Sequence, residues 1–399
     1  MTSDIITIVS TWYGAETAGG AEHAARQLAI ALHARGVHVE VWSTTARDLV
    51  APATAYYALG ESWDAGIKVV RFAVESLPAD AQFPHYVNQF KQLTDIIRTC
   101  APNAQELRTV ARLAYSSDLL RAIAQHQAGR RFVFVPYPLP SSIFGSMLAR
   151  NQSYILPCMH DEPYAYHTLT RWQMQHASGI LANSASERDF IIAQYGITPT
   201  RVTLTRLGVE LGAVGDGARF RQQFQVTGPM LFFAGRRDAS KNMPLLMLYV
   251  QEYMIRRQRM LTLVLSGRDP LVLSRYQQRF IRDIGFVDEQ TKADAFAACD
   301  VFVHAGTQES FAFVLMEAWL QQRPVLVNAD CAVTTAATRE SGGGLAFRDF
   351  QSFAAGLDML LGTTELATTM GNAGRAYVLT HCQWQDVAAR AEAAIRGTT

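Results

Sequence analysis

Two successive series of strand and helix patterns constrain the fold of this chain more than any other feature. Residues 5–9 form a short β-branched run typical of a buried strand, and residues 21–34 are Ala-rich with apolar positions at helical spacing. Residues 37–42 alternate as a second strand, and a strand–helix–strand unit pairs its strands in parallel through a right-handed crossover. The alternation restarts after a glycine-rich stretch at 206–228. Two doubly wound α/β units are therefore predicted.

Further elements follow the same rhythm in both halves. Strand patterns lie at 67–72, 132–135, 153–156, 179–184, 229–234, 261–265, 301–303 and 324–327, and helix patterns at 88–126 with a break near Pro102, 244–256, 294–299 and 310–321. Ser184 and Glu187 have the spacing of a capping box. The composition shift near 206 predicts an N-terminal Rossmann-like domain over 1–205 and a C-terminal one over 206–375, with a final helical segment over 376–399.

Composition excludes several classes of protein. With 399 residues, 49% hydrophobic and 18% charged, the chain is long enough for two globular cores. Its formal net charge of +1 gives no global field to attract nucleic acid, so no nucleic-acid partner is expected. The five cysteines are far apart, form no metal-ligand pair and are expected as buried thiols in a reducing compartment.

The location is predicted from what the hydropathy pattern lacks. The sequence offers no run of about 18 apolar residues and no secretory pattern at its start. A cytoplasmic protein is therefore expected. Peripheral contact with the inner face of a membrane is left open, as is the oligomeric state.

A basic turn follows the strand pattern that ends at Ala234. Gly235 permits a tight turn, and Arg236 and Lys241 lie five positions apart, so both side chains can converge above the sheet. Two cations at a helix entrance suit a diphosphate, because a helix N-terminus already favours anions. A solvated basic turn without a function explains these residues equally well when they are taken alone.

Two carboxylates eight positions apart follow a later strand pattern. Glu309 precedes a helix pattern that Ser310 can cap, and Glu317 lies two helical turns later. Carboxylates accept hydroxyl hydrogen bonds, so one beside a sugar and one beside a ribose is sensible chemistry. An acid at a helix N-terminus and a half-buried surface Glu are the stronger explanation of an isolated pair. His304, at the preceding strand end, is a candidate lining residue for which a structural role is favoured.

The order of these motifs resembles the retaining glycosyltransferases of family four. Those enzymes have the GT-B fold, in which two Rossmann-like domains face each other across a cleft. The resemblance covers nearly the whole chain and is weakest at 49–130. Its elements are Gly19-Gly20-Ala21-Glu22, Leu207-Gly208-Val209-Glu210 at the domain junction, Gly235-Arg236 with Lys241, Ser266-Gly267, Gly285-Phe286-Val287, Glu309 to Glu317, and Trp384 in the last helix. Taken alone, the glycines at 19 and 20 are equally well explained by a plain tight turn.

The resemblance implies that the last helix, over 376–399 with Trp384, packs back across the domains. It also implies a role for each matched residue. Arg236 and Lys241 would neutralise the diphosphate of a nucleotide-sugar donor as it leaves, Glu309 would hold the donor sugar and Glu317 the ribose. His160 matches a family histidine beside the donor sugar, the alternative being a hydrogen-bonded structural histidine. The catalytic set is thus His160, Arg236, Lys241 and Glu309. The other donor-binding positions are Gly19, Gly20, Gly208, Gly235, Gly267, Phe286, Val287, Ser310, Phe311, Ala312, Phe313 and Glu317.

Several positions depart from the family pattern. Ala312 stands where glycine usually follows Phe311, so its methyl narrows the approach to the sugar unless the backbone angle there is ordinary. Asn242 and Arg323 also replace common glycines, and the loop at 328–331 lacks the usual Gly-Gly. These departures leave the donor sugar open. A lean to GDP-mannose rests only on the frequency of that chemistry in the family.

The expected mechanism needs no metal and no other cofactor. The chain has no convincing Asp-x-Asp motif, and fixed cations with helix amides can stabilise a leaving diphosphate instead. The resemblance implies retention of configuration, with same-face attack by a hydroxyl of a glycan or lipid-linked acceptor held by the N-terminal domain. The alternatives are a phosphorylase or epimerase on the same fold, and a catalytically silent sugar-binding scaffold. The retained cations and carboxylates argue against the scaffold.

Overall fold

The structure, a computed structural model, describes residues 4–17, 19–49, 51, 53–75, 85–111, 113–237, 241–268 and 271–397. The chain divides into two compact units, Met1–Gly208 with Trp384–Thr399, and Val209–Gln383. The final helix begins at Trp384 and not near 376, because residues 376–381 continue the preceding helix, Thr364–His381. The last segment of the chain therefore belongs to the first unit.

The first unit is built on a mostly parallel sheet. Its strands are β1 (Ile5–Ser10), β2 (Val39–Thr44), β3 (Gly60–Asp64), β4 (Ile67–Phe72), β5 (Arg130–Val135), β6 (Ser153–Ile155), β7 (Gly179–Ala182) and β8 (Val202–Leu204). Their order is β3-β4-β2-β1-β5-β6-β7-β8, and only the edge pair β3–β4 is antiparallel among the pairs that the structure describes. Strands β2 to β4 lie on one side of β1 and strands β5 to β8 on the other, so a topological switch point lies between β1 and β5.

Helices connect these strands. They are α1 (Gly20–Ala34), α2 (His85–Asn88), α3 (Lys91–Cys100), α4 (Ala104–Ala111), α5 (Ser117–Gln125), α6 (Pro140–Ala149), α7 (Thr168–His176), α8 (Ala185–Tyr195) and, from the end of the chain, α16 (Trp384–Arg396). The break predicted near Pro102 is confirmed between α3 and α4. A second interruption separates α4 from α5, where Ser116 caps the N-terminus of α5 by accepting from the Leu119 N–H.

The second unit is a parallel sheet with its own switch point. Its strands are β9 (Met230–Ala234), β10 (Thr262–Ser266), β11 (Ile281–Gly285), β12 (Val301–His304), β13 (Val325–Asn328) and β14 (Gly344–Phe347), in the order β11-β10-β9-β12-β13-β14. Its helices are α9 (Gly217–Gln223), α10 (Met243–Arg257), α11 (Glu289–Ala298), α12 (Phe313–Leu320), α13 (Ala332–Ser341), α14 (Phe350–Gly362) and α15 (Thr364–His381). The chain runs from β9 to one edge and then returns to β12, so the switch point lies between β9 and β12.

The central strands are apolar on both faces because helices cover both. Every residue of β9 is buried, and Phe232 contacts Phe296 of α11 and Phe302 of β12 with ring centroids 5.0 and 6.0 Å apart. Continuous apolar runs of this kind are typical of parallel sheets covered by helices. The prediction of two doubly wound α/β units is confirmed. None of the described helices has the length and apolar character needed to cross a membrane.

Local expectations differ from the structure at two helix ends. The second strand begins at Val39 and not at 37, because the Val37 N–H bonds back to the Leu32 carbonyl and closes α1. Ser184 caps α8 by accepting from the Glu187 N–H, as predicted. The Glu187 carboxylate does not complete the capping box, since it accepts from the N–H groups of Met159 and Asn183.

Four of the five cysteines are buried as predicted, and Cys100 is half-buried.

Candidate active site

The loops after β9 and β12 lie at the switch point of the second unit, where open α/β sheets bind their ligands. Gly235 and Lys241 follow β9, and Glu309 follows β12. The loop after β10 joins them, because the Gly235 N–H donates to the Ser266 carbonyl at 3.0 Å. A Cβ at position 267 would lie 2.1 Å from the Gly235 carbonyl oxygen. The glycine at 267 is therefore required for the close approach of these two backbones.

The two arginines of the basic turn have different environments. Arg236 is exposed, whereas Arg237 donates from both terminal nitrogens to Asp283 on β11, with Nη1 to Oδ2 at 2.9 Å. The ion pair connects the loop after β9 to β11. The sequence pattern did not predict this role for Arg237. Residues 238–240 of the predicted turn lie outside the described residues.

Lys241 and Glu309 are in direct contact. The Lys241 ammonium is paired with Glu309 Oε1, and both side chains are largely buried. His304, at the end of β12, places Nε2 2.9 Å from the same oxygen. The His304 side chain is buried, and its Nδ1 has no hydrogen-bond partner among the described residues. The structure thus brings together two residues predicted from the sequence and adds His304, for which a structural role had been favoured.

These two basic groups control the charge of Glu309. Burial favours the neutral carboxyl, but the hydrogen bonds and charges of His304 and Lys241 outweigh it and lower the pKa of Glu309 to about 2. Glu309 is therefore a carboxylate at neutral pH. It is a hydrogen-bond acceptor that is fixed in place before any ligand arrives.

Ser310 does not cap the following helix, which corrects the sequence prediction. Helix α12 begins at Phe313, and its N-cap is Ala312, whose backbone is left-handed with a φ of 65°. This turn ends the loop three residues beyond Glu309, so Ser310 lies outside the helix terminus. Ala312 is buried, and the rings of Phe311 and Phe313 on either side of it are 5.1 Å apart.

The backbone angle at Ala312 also answers the question raised by its methyl group. The angle is not ordinary. Glycine adopts the left-handed conformation without cost, whereas the same conformation costs alanine about 1 kcal/mol. Ala312 therefore keeps a backbone suited to glycine and adds a side chain to it.

Glu317 has a less favourable charge environment than Glu309. Its Oε1 accepts from Lys292 Nζ on α11 at 3.0 Å. Its Oε2 is buried without a hydrogen-bond partner among the described residues. Burial raises the pKa of Glu317, Lys292 lowers it in part, and the carboxylates of Glu289 and Glu210 raise it further. Lys292 was not predicted as a site residue.

The turns at the carboxyl ends of β10 and β11 place the predicted Phe286 and Val287. The Ser266 hydroxyl donates to the Gly285 carbonyl at 3.0 Å, which joins the two turns. Phe286 is 68% exposed, and the Arg268 guanidinium lies 4.6 Å from the centre of its ring. Val287 is half-buried.

In the first unit, the two predicted glycines mark the start of α1. Gly20 is the first residue of the helix, and Gly19 is its N-cap with a φ of 141°, a backbone that L side chains rarely adopt. No side chain caps this N-terminus. Gly208, at the other end of the unit, packs under Trp384, where a Cβ would lie 2.3 Å from the indole. Packing alone therefore explains the glycine at 208.

His160 follows β6 in a loop that other side chains fix. Its Nδ1 is 3.4 Å from Glu162 Oε1, and the Tyr137 hydroxyl donates to the same oxygen at 2.7 Å. Burial alone would raise the pKa of Glu162, but these hydrogen bonds keep it below its usual value. The Glu187 carboxylate accepts a hydrogen bond from the N–H of Met159, the residue before His160. Across the described part of the chain, no three His, Cys, Asp or Glu side chains are grouped to hold one metal ion.

Two family models match most of this chain. The model of Glycosyltransferase Family 4 matches residues 18–212, and that of the Glycosyl transferases group 1 matches residues 228–363. The chain belongs to the glycosyltransferases of family four. This confirms the resemblance to family-four glycosyltransferases that the sequence indicated.

Known relatives and structures agree with this membership. The D-inositol 3-phosphate glycosyltransferase of Kineococcus radiotolerans is 29% identical over 227 residues, which are 50% of this chain and 52% of that protein. The chain spans about half the length of the curated relatives it matches.

Solved structures extend the comparison to the whole chain. Sucrose-phosphate synthase from Thermosynechococcus elongatus has a TM-score of 0.68 at 17% identity, covering 99% of both chains. Anabaena HepE, in complex with UDP and glucose, has a TM-score of 0.67 at 15% identity, covering 99% of this chain and 100% of that one. The fold of this family-four glycosyltransferase is therefore GT-B.

Proposed function

We propose that this family-four glycosyltransferase moves a hexose from a nucleoside-diphosphate sugar to a hydroxyl of a glycan or lipid-linked acceptor. The transfer retains the anomeric configuration and needs no metal. The observation that carries the proposal is the buried cluster of Lys241, Glu309 and His304 at the switch point of the second unit. A fixed carboxylate beside a fixed cation matches a ligand that combines hydroxyl groups with a diphosphate.

Each charge in this cluster has a role in the proposed reaction. The Glu309 carboxylate accepts hydrogen bonds from hydroxyls of the donor sugar. Lys241, already held at Glu309, supplies positive charge to the departing diphosphate, and Arg236 adds a second cation. Because such groups are oriented before the reaction begins, they stabilise the leaving charge without reorganising.

Glu317 fits the ribose end of the donor. Its Oε1 is held by Lys292, and its Oε2 has no partner among the described residues and is buried. A buried acceptor oxygen gains most from a hydroxyl donor, because an unpaired buried polar atom costs about 1–3 kcal/mol.

In the proposed step, the bond between the anomeric carbon and the diphosphate oxygen breaks while the acceptor oxygen bonds to the same carbon on the same face. The proton of the acceptor hydroxyl passes to the departing diphosphate oxygen. No separate general base is then needed. We assign the acceptor to the first unit. The role of His160, in the same unit, beside the donor sugar stays a prediction from the sequence.

The donor panel follows from the known relatives. HepE was crystallised with UDP and glucose, so UDP-sugars lead the panel and GDP-mannose, the choice favoured by the sequence, follows. The curated relatives are named for a D-inositol 3-phosphate acceptor, which therefore joins the glycan and lipid-linked acceptors.

The test is release of nucleoside diphosphate from each donor, in EDTA buffer, with and without each acceptor. We expect one donor to react only with an acceptor, and NMR to show that the product keeps the donor's anomeric configuration. Glu309→Gln should slow the release by about 10²–10³-fold, whereas Glu252→Gln, at an exposed ion pair on α10, should not.

Other outcomes identify the alternatives. Epimerised donor without acceptor would indicate an epimerase, and a requirement for free phosphate a phosphorylase. Activity that appears only after a divalent metal is added would contradict the metal-free mechanism. No turnover of any donor would favour the silent scaffold.

A further inference from the structure

A cavity lies at the amino ends of the strands of the second sheet, whereas the proposed donor site lies at their carboxyl ends. It has a volume of about 580 Å³ and is lined by residues that precede three neighbouring strands: Pro229 before β9, Asp300 before β12 and Pro324 before β13. These are the amino ends of the strands, whereas Glu309 and Lys241 lie beyond carboxyl ends. A strand of five residues separates the two edges by about 16 Å. The cavity is therefore distinct from the donor site.

Positive charge dominates the lining of this cavity. Arg221, Arg259 and Arg323 line it, and Asp300 is the only carboxylate among its lining residues as the structure describes them. Asp300 is already occupied, because its Oδ2 accepts from Arg221 at 3.0 Å and from the Met230 N–H at 2.7 Å. The other partners of the arginines are carbonyl oxygens and, for Arg259, the Tyr253 hydroxyl, and none of these neutralises a charge. Two guanidinium charges therefore remain without a counter-ion in the lining.

Hydrogen-bond donors remain available in the same place. Arg323 donates from Nη2 to the Ala297 carbonyl, which engages only part of its guanidinium group. Arg259 donates from Nη2 to the Leu361 carbonyl at 3.1 Å and contacts the Tyr253 hydroxyl, and these two contacts engage only part of its five N–H groups. Thr364 and Thr368 line the cavity from the first turns of the 18-residue helix α15. These residues place the N-terminal turn of α15 in the same lining as the arginines, and the N-cap of this helix, Thr363, makes no side-chain cap.

We propose that this cavity is a second anion site and that it binds a phosphate group. Guanidinium groups bind phosphate through paired hydrogen bonds, and an uncapped helix N-terminus adds N–H donors and a favourable dipole. The phosphate belongs either to a small soluble molecule or to a lipid headgroup. Met260 and Met359, next in sequence to the lining residues Arg259 and Leu360, are 67% and 48% exposed.

The first arm of the test is calorimetric titration of the full chain with inorganic phosphate at constant ionic strength. The main variant is Thr368→Glu, which places a carboxylate in the cavity at an exposed helix position. Its control is Thr369→Glu, one residue farther along α15, exposed and outside the lining. Arg259→Gln and its control Arg256→Gln, an exposed arginine of α10 paired with Glu252, form a second matched pair.

We expect Thr368→Glu and Arg259→Gln to weaken phosphate binding by about tenfold or more, because the first adds a carboxylate that repels the anion and the second removes charge-assisted hydrogen bonds. Both control variants should bind phosphate like the wild type. The proposal is overturned if Thr368→Glu and Arg259→Gln bind as the wild type does, or if Arg236→Ala alone abolishes binding. The latter result would place the phosphate at the donor site.

The second arm distinguishes the source of the phosphate. Cosedimentation with phosphatidylglycerol vesicles, against phosphatidylcholine vesicles, should be lost in Thr368→Glu if a lipid headgroup is the ligand. Binding of soluble phosphate without binding to either kind of vesicle would indicate that the ligand is a small phosphorylated molecule. If the wild type binds neither soluble phosphate nor vesicles, the proposal is overturned. These readouts do not use sugar transfer, so they stand or fall separately from the proposed function.

Discussion

Glu309 and Glu317 are both buried at the same end of the second unit, yet their pKa values move in opposite directions. Glu309, in the loop after β12, has two basic partners at one oxygen, and its pKa falls to about 2. Glu317, in helix α12, has a single cation, Lys292, and two further carboxylates act on it, so its pKa rises. Burial is common to both, and the number and sign of the neighbouring charges decide the result.

The comparison indicates that the two regions have different duties. The loop holds a permanent anion next to a cation, which suits the reacting end of a donor. The helix holds a carboxyl whose charged form is disfavoured and whose buried second oxygen has no partner among the described residues, which suits a hydroxyl at the non-reacting end. If this division is correct, changes in the loop should affect turnover and changes in the helix should affect donor affinity.

The largest expected effect is that of Glu309→Gln. The amide cannot balance Lys241 and cannot accept as a carboxylate does, so kcat/KM for the donor should fall by about 10²–10³-fold, as for loss of a preorganised charged group. Steady-state kinetics with the Glu252→Gln control measures this. A loss below tenfold would show that the loop carboxylate has no part in the reaction.

Acid should destabilise the protein through Glu309 and not through Glu317. The folded pKa of Glu309 lies below the ordinary value of 4.5, so its stabilisation is complete above pH 4.5 and is lost as pH falls toward 2. The shift corresponds to about 3 kcal/mol. The folded pKa of Glu317 is raised, so its contribution has the opposite sign: stability increases as pH falls through that pKa toward 4.5.

Urea unfolding from pH 7 to pH 2 tests this contrast. We expect Glu309→Gln to flatten the acid limb of the stability curve, and Glu317→Gln to stabilise the protein near neutral pH. If both variants changed the curve in the same direction, the contrast between the two carboxylates would be wrong.

His304→Leu should convert the environment of Glu309 toward that of Glu317, by removing one of its two basic partners. We expect kcat to fall by about tenfold, in line with loss of one charge-assisted hydrogen bond, and the pKa of Glu309 to rise. His304→Gln, whose amide can still donate, should recover part of kcat. Equal loss in both variants would mean that His304 only fills space.

Glu317→Gln should have a smaller effect that falls on donor affinity. The raised pKa shows that the site already disfavours the charge, and the amide keeps an oxygen acceptor for the ribose hydroxyl. We expect KM for the donor to rise by about fivefold with kcat nearly unchanged, consistent with loss of uniform binding. A large fall in kcat would contradict the division between loop and helix.

The smallest effect is expected at Ala312, which joins the two regions. Glycine should relieve the left-handed backbone there and stabilise the protein by about 0.5 kcal/mol, part of the gain being offset by greater freedom of the unfolded chain. Ala355→Gly, at an exposed position inside α14, should instead destabilise by about 1 kcal/mol. Urea unfolding compares the two. Destabilisation by Ala312→Gly would show that the alanine methyl contributes packing.

The sequence predicted the inner strands of both sheets well, because each is a short apolar run between polar turns. It missed the four edge strands, β3, β8, β11 and β14, which carry weaker apolar patterns. It also predicted that Lys241 and Glu309 belong to one site, since both follow strands at a switch point. It missed the start of α12, because the left-handed turn at Ala312 has no signal in an alanine. It missed Lys292 and Asp283, because their partners come from other helices and strands, and no spacing along the chain relates them.

The proposed function requires that the second unit bind a nucleoside diphosphate through Lys241, which is paired with Glu309, and through Arg236. Thermal stability against a panel of nucleoside diphosphates and nucleotide sugars, without added metal, tests it most directly in the wild type and in Arg236→Ala. A ligand at about 100 times its Kd should stabilise the protein by about 2.7 kcal/mol. The account predicts that one nucleoside diphosphate stabilises the wild type and not the variant. No shift with any nucleotide would contradict it.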